Sequence, residues 1–326
     1  MNTNTTWNIF CKTNLQNKFI ESNDNIVASI SGGMDSVCML HMLYRLKKKI
    51  NINILIVNFN HNLRQDSYLE LNLIKQLSHK FKIDYIYKNL KVKEYSQKYS
   101  LSIETAGREL RYLNLEKIAK EYKFNKIALA HNANDNAETM LMWLLRGSGS
   151  FIGIPHNRLL KSNILIIRPL LSIKRKLIEN YINYHNLPFC IDKSNYLNIY
   201  TRNKIRFSII PALEKINPRF IEHTFNITCI QLRDNIYLQQ IVDCLQKQCV
   251  NVTNDVISLD LTIFLRYNKA IQFRMMKNII PIKKCNHHIT FIINKLLKLS
   301  SFYTYRISKE WICKISGNKL FFIKNT

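Results

Sequence analysis

Residues able to do phosphate chemistry crowd into one hexapeptide, Ser31-Gly32-Gly33-Met34-Asp35-Ser36. Two adjacent glycines let a backbone turn sharply and bring its N–H groups close to a ligand without Cβ clashes. The apolar run before them (residues 26–30) and the amphipathic run after them (37–46) read as strand and helix. A helix beginning there presents unpaired N–H donors and a positive dipole end, where an anion belongs. Ser31 and Ser36 add hydroxyl donors and Asp35 a carboxylate. The lysine that ends a Walker A loop is missing, so γ-phosphoryl transfer would lack its usual clamp. An ordinary Gly-rich turn, its helix capped by Asp35 or Ser36, would explain a bare Gly-Gly. It explains the carboxylate less well, because a negative charge beside a phosphate nest is repulsive unless a metal ion or a purposeful geometry compensates.

A second concentration is His131-Asn132-Ala133-Asn134-Asp135-Asn136-Ala137-Glu138-Thr139. Asp135 and Glu138 are three apart and share one helix face. A capping box accounts for such spacing by itself. Beside a phosphate loop, two carboxylates on one face also suit a metal ion or an ammonium group. His61 and Arg64, in H-N-L-R, are candidate phosphate contacts, though a single His or Arg at a strand end is as often structural. Arg108 and Arg111, in G-R-E-L-R-Y, fit either a solvated helix surface or bidentate phosphate binding. His131 fits a nucleotide pocket or a satisfied buried imidazole.

These residues need elements to hold them. Strand-like runs at 53–60, 83–89 and 126–130 alternate with helical runs at 67–80, 110–122 and 134–145, and 92–99 reads as a turn or short helix. Such alternation predicts a doubly wound parallel sheet, in which ligands sit beyond the carboxyl ends of the strands. The motifs at 31–36, 61–64 and 131–138 each follow a proposed strand, so they converge on one edge. The chain has only seven glycines, and three of them fall at Gly147, Gly149 and Gly153, which marks 147–163 as a functional loop. A basic amphipathic helix is expected over 170–185. From about residue 224 the alternation stops. The remainder carries 15 Lys and Arg against 5 Asp and Glu, a net +10, and reads as a separate, smaller, mostly helical basic domain with strand-like ends at 311–315 and 319–324.

With 326 residues there is room for about two domains. The 48 Lys and Arg against 22 Asp and Glu give a net charge of +26, which points to a polyanionic partner such as a large nucleic acid. Ile, Asn and Lys abound throughout, as in an AT-rich genome, and part of the charge reflects that. The eight cysteines are scattered with no C-x-x-C, against a zinc site, a redox dithiol or a disulfide framework. No apolar run reaches the roughly 18 residues of a membrane span, and no signal-peptide core is expected at the polar N-terminus, where an amphipathic patch lies around Leu15–Ile20.

The hexapeptide resembles the pyrophosphate loop of the N-type ATP pyrophosphatases. The ordered series that it opens, followed by His61-Asn62-Leu63-Arg64, Gly107–Tyr112, His131–Thr139 with Arg146-Gly147-Ser148-Gly149 after it, Arg168–Leu171, Asp192–Asn195 and Arg202–Arg206, resembles the tRNA(Ile)-lysidine synthetase family. The resemblance covers roughly the first 220 residues and the basic tail more loosely. One departure stands out: Asn134-Asp135-Asn136 replaces the family's usual D-D-Q. The resemblance implies an adenine nucleotide α-hydrolase-like fold, a catalytic domain over 1–223, a tRNA-binding domain over 224–326, and a short form of the family. It implies that ATP adenylates the carbon-2 oxygen of the wobble cytidine in a CAU-anticodon isoleucine tRNA, and that the ε-amine of free lysine then displaces AMP. In that scheme Ser31, Gly32, Gly33, Met34, Asp35 and Ser36 hold pyrophosphate, with Asp35 near Mg²⁺, and His61, Arg64 and His131 border the nucleotide. Asp135 and Glu138 take the lysine ammonium, Asp135 as base. Arg108 and Arg111 stabilise the intermediate or grip RNA phosphate, and Arg202, Lys204 and Arg206 meet the tRNA backbone. A tRNA thiolase of the same superfamily and a non-catalytic tRNA-binding protein are the alternatives. The oligomeric state, including a homodimer, stays open, and the expected location is a plastid stroma or a bacterial cytoplasm, with no membrane partner.

Overall fold

Apolar β-branched runs separated by amphipathic stretches give the alternation of strands and helices seen in the computed structural model, which describes residues 4–60, 67–147, 153–190, 201–253, 255–280, 289, 302–308 and 310–324. Two compact units divide the chain, the first running to Cys229 and the second beginning at Ile230. The first unit contains α1 (Asn4–Asn17), β1 (Asn25–Ser29), α2 (Met34–Lys47), β2 (Asn53–Asn60), α3 (Ser67–Phe81), β3 (Tyr85–Asn89), α4 (Val92–Tyr99), α5 (Ile103–Glu121), β4 (Lys126–Ala128) and α6 (Ala133–Leu145). It continues with β5 (Asn157–Leu159), β6 (Leu165–Ile167), α7 (Arg175–Tyr184), α8 (Thr201–Lys204), a π-helical turn over Ile205–Ile209 and α9 (Ile210–Ile216).

The sheet order is β3-β2-β1-β4-β6-β5. Pairing is parallel from β3 through β6, and β5 is an antiparallel edge strand. Helices cover both faces, as side-chain alternation in β1 requires. Ile26 and Ala28 pack with Val37, Met39, Leu40 and Leu43 of α2 on one face, while Val27 packs with Ala106, Leu115 and Ile118 of α5 on the other. At the opposite end of the strands from the motifs, Lys126 of β4 is buried with Asp24, its Nζ at 2.5 Å from Oδ2.

Several elements differ from the sequence expectation. The N-terminal segment is a helix whose buried apolar side chains are Trp7 and Phe10, whereas Leu15 is exposed. Helix α5 starts at Ile103 rather than 110, because Ser102 caps it by accepting from the Thr105 N–H at 3.2 Å. The stretch after Gly147 holds two short strands, and β6 was hidden in a run too brief to separate from the loop around it.

Helix α10 (Phe220–Cys249) contributes to both units. The second unit holds β7 (Val250–Val252), β8 (Val256–Asp260), α11 (Leu261–Phe264), α12 (Lys269–Ile279), β9 (Phe302–Arg306), β10 (Trp311–Ser316) and β11 (Lys319–Lys324). The five strands form one antiparallel sheet, β7-β8-β11-β10-β9, packed with α10 and α12 around Phe264, Met275, Met276, Leu320 and Phe322. Among the described residues no helix is long and apolar enough to cross a membrane.

Candidate active site

The hexapeptide occupies the turn from β1 into α2. Gly32 has φ +84°, a left-handed conformation that costs L-residues with side chains about 1 kcal/mol or more. Gly33 is the N-cap of α2, and no side chain caps this helix. The expected alternative, a cap by Asp35 or Ser36, is therefore not what forms. Instead the Ser36 hydroxyl donates to the Gly33 carbonyl at 2.7 Å, and Ser31 Oγ lies 3.3 Å from it. Met34 begins the helix and packs against the core below. The contrast with α5 and α6, both capped by side chains, leaves α2 with exposed donor character and a positive end. The loop is braced from below: buried Asn58 donates to the Ile30 carbonyl at 2.7 Å, and the Cys190 N–H donates to the Gly32 carbonyl at 2.9 Å.

Asp35 stands at the start of α2 with its Oδ1 buried and without a hydrogen-bond partner. Burial pushes its carboxyl up to about 6, the charge of Asp135 pushes the same way, and Arg175, Asn132 and Arg206 partly offset both. A carboxylate with an unmatched oxygen and a raised pKa is one that a cation would stabilise.

One strand over, after β4, comes the second motif. Asn132 caps α6 by accepting from the Asp135 N–H at 3.0 Å, and Asp135 Oδ2 accepts from the Asn132 N–H at 3.0 Å. The capping box that forms pairs Asn132 with Asp135, not Asp135 with Glu138, and Asp135 still has a second oxygen to use. Arg206 Nη2 reaches Asp135 Oδ1 at 3.2 Å and Arg202 Nη2 reaches it at 3.6 Å. Glu138, whose side chain is 1% exposed, accepts from Arg206 Nε at 2.5 Å and from Arg202 Nε at 2.7 Å. Burial and the charge of Glu138 hold the Asp135 carboxyl above its usual range.

Arg202 and Arg206, expected at an RNA backbone, lie here against the Asp135 and Glu138 carboxylates. A carboxylate as buried as Glu138 demands a counter-ion, and these two arginines supply it. The π-helical turn lies at this junction, carrying Arg206 directly after Arg202 and Lys204. Of that group only Lys204 is exposed.

On the α5 face, Arg108 and Arg111 lie with their guanidinium carbons 5.4 and 5.8 Å from the centre of the Tyr112 ring. His131 is half-buried; desolvation and then Arg168, Arg111, Arg108 and Arg202 hold its imidazole well below the usual range, so it is neutral. Its Nδ1 has no hydrogen-bond partner. His61, Arg64 and the Asp192–Asn195 motif lie outside the described residues.

The two asparagines that depart from the family pattern are both engaged. Asn134 Oδ1 accepts from the Arg175 N–H at the start of α7 at 2.9 Å. Buried Asn136 accepts from the Ile154 N–H at 2.7 Å and donates to Thr228 Oγ1 at 3.0 Å. Sequence reasoning missed Asn58 and Asn132. The signal for Asn58 was present, as a polar residue inside the buried run of β2.

Comparison with known proteins agrees with this geometry. The model of the PP-loop domain family matches residues 6–213. The tRNA(Ile)-lysidine synthase of Clostridioides difficile is 35% identical over 81% of this chain and 57% of its own length. That of Petrotoga mobilis is 35% identical over 65% of this chain and 68% of its own length. The chain thus spans a little over half the length of the first of these relatives. Among solved structures, a U34-tRNA thiolase from Methanococcus maripaludis superposes with a TM-score of 0.59 at 20% identity, over 71% of this chain and 79% of the thiolase. At that identity the likeness speaks for the fold alone. The phosphate loop, the fold and the relatives together place the chain in the PP-loop domain family and, within it, in the family of the tRNA(Ile)-lysidine synthases.

Proposed function

We propose that this chain ligates lysine to carbon 2 of the wobble cytidine in an isoleucine tRNA with a CAU anticodon, consuming ATP and releasing AMP and pyrophosphate. The product would read AUA in place of AUG. The observation that carries the reading is the uncapped N-terminus of α2 behind Gly32 and Gly33, with the unpartnered Asp35 carboxylate oxygen one strand from the Asp135–Glu138 pair. Pyrophosphate is the natural occupant of the first feature, and an amine of the second.

In the first step the cytidine O2 attacks the α-phosphorus and pyrophosphate leaves toward the loop Ser31–Ser36. In the second the lysine ε-amine attacks carbon 2, AMP departs with the oxygen, and a proton is lost from the amine. Asp135 is the candidate acceptor of that proton, since its carboxyl sits above the usual range. The lysine ammonium would reach Asp135 and Glu138 by displacing Arg202, which is more exposed than Arg206 and makes the longer contact to Asp135. Arg108 and Arg111 would hold phosphate oxygens of the intermediate or of the RNA.

Asp35 fits magnesium: its Oδ1 is buried without a hydrogen-bond partner, and Mg²⁺ usually takes one or two carboxylates plus substrate phosphates. Bound there, it would neutralise charge on the leaving pyrophosphate. Sulfur transfer is disfavoured, because burial holds the Cys38 and Cys190 thiols above their ordinary range, as protonated thiols and not nucleophilic thiolates. Product analysis with α-labelled ATP tests the reading. AMP and pyrophosphate, formed only with tRNA present and lost in Asp35→Ala, are expected; ADP, or cleavage that ignores the tRNA, would contradict it.

A further inference from the structure

The α5 side of the site carries more positive charge than Arg108 and Arg111 alone. Arg108 and Arg111 are joined there by Arg158 of β5, whose guanidinium carbon is 5.4 Å from the Tyr112 ring centre. Arg168 directly follows β6 and is 3% exposed. Its Nη1 donates to the Pro155 carbonyl at 2.7 Å, while its Nε and that of Arg111 are buried without a partner. Among the described residues none of the four guanidiniums has a carboxylate within 4 Å. Glu116, an acid that senses Arg158, is bonded to Lys120 at 3.0 Å.

Burial alone would raise the Tyr112 phenol, yet Arg168, Arg108 and Arg111 pull it below its ordinary value. Burial holds Arg111 and Arg168 down, Tyr112 offsets part of this, and neighbouring guanidiniums lower both further. Four like charges, with Arg168 buried and Arg111 half-buried, are costly to assemble unless an anion completes the set. The phosphate loop is not that partner's seat. It follows β1, whereas Arg168 follows β6, with β4 between them. Two strand spacings separate the sites by about 10 Å.

We propose that Arg108, Arg111, Arg158 and Arg168, gathered around Tyr112, form a second anion site that takes a backbone phosphate of the RNA next to the nucleotide being modified. The inference rests on the reading that the substrate is RNA and goes beyond it by assigning the contact. Arg158 is the residue to change, because it is exposed and holds no buried partner. Equilibrium binding of the CAU-anticodon tRNA to the full chain is measured over a salt series for wild type, Arg158→Ala and Arg108→Ala, alongside ATP binding without RNA. Each variant should bind the tRNA about fivefold more weakly, and the slope of log K against log salt should flatten by about 0.7 to 0.9 per phosphate lost. Binding of ATP by Arg158→Ala should not change. An unchanged salt slope in both variants would overturn the assignment. So would weakened ATP binding with RNA binding intact, which would give the cluster to the nucleotide's phosphates. A wild-type chain that ligates lysine while Arg158→Ala keeps its slope sinks this inference alone; a wild type that binds no RNA sinks the broader reading with it.

Discussion

At the residue scale, Asp35 works against the fold it sits in. Its folded pKa of about 6 lies above that of an unfolded aspartate, so the native state binds the proton more tightly. Its contribution to stability is therefore present at low pH and is lost as pH rises through about 6. Asp35→Asn should remove that penalty and unfold at a higher denaturant concentration than wild type at pH 7.5, by up to about 2 kcal/mol. The gap should close by about pH 4, and the variant should be inactive at every pH. A loss of stability at pH 7.5 would show that Asp35 is held by a partner after all. Glu138 is the opposite case. It anchors Arg202 and Arg206 from a position almost without solvent, and removing one member of such a group costs about 3–5 kcal/mol. Glu138→Gln should lower stability in chemical denaturation by about that amount and raise the KM for lysine more than that for ATP; an unchanged lysine KM would separate the carboxylate from the amine site.

At the element scale, the site depends on which helix starts are capped and which are left open. Helix α6 closes its N-terminus with Asn132 and Asp135, whereas α2 opens its own to a ligand. The loop before β5 is pinned to the same helix. A Cβ on Gly153, at φ +114°, would collide with Thr228 Oγ1 and lie 2.8 Å from Asn136 Oδ1. Gly153→Ala should destabilise the chain by about 2–4 kcal/mol, with partial recovery in Gly153→Ala/Thr228→Ala, read from urea unfolding; a neutral Gly153→Ala would show that the loop relaxes freely. Much of this framework was legible in the sequence. The strand–Gly-Gly–helix unit and β2 carry strong apolar periods and declare themselves. The short strands β5 and β6 are three residues each and carry no period to read. Nor could spacing show that Arg202 and Arg206 turn inward, since that follows from the burial of Glu138, a property of the folded chain 64 and 68 residues away. The convergence of motifs on one sheet edge was readable; the pairing of charges within it was not.

At the scale of the whole molecule, a net charge of +26 is spread over both units, with +10 falling after residue 223. Such a field rewards a long polyanion and makes its binding salt-sensitive. If about six phosphates are contacted, tRNA affinity should fall about a thousandfold between roughly 50 and 200 mM salt, whereas ATP binding at the α2 terminus should change far less. Equal salt dependence for both would contradict a separate RNA-binding field. The central claim is that the nucleophile joined to the RNA is lysine. The direct test incubates the full chain with ATP, Mg²⁺, labelled lysine and a CAU-anticodon isoleucine tRNA transcript, and follows label into RNA. Label should enter only with ATP present and only with cytidine at the wobble position, and it should vanish in Asp35→Ala. ATP cleavage with no lysine incorporated would contradict the account and leave an adenylating enzyme with a different nucleophile.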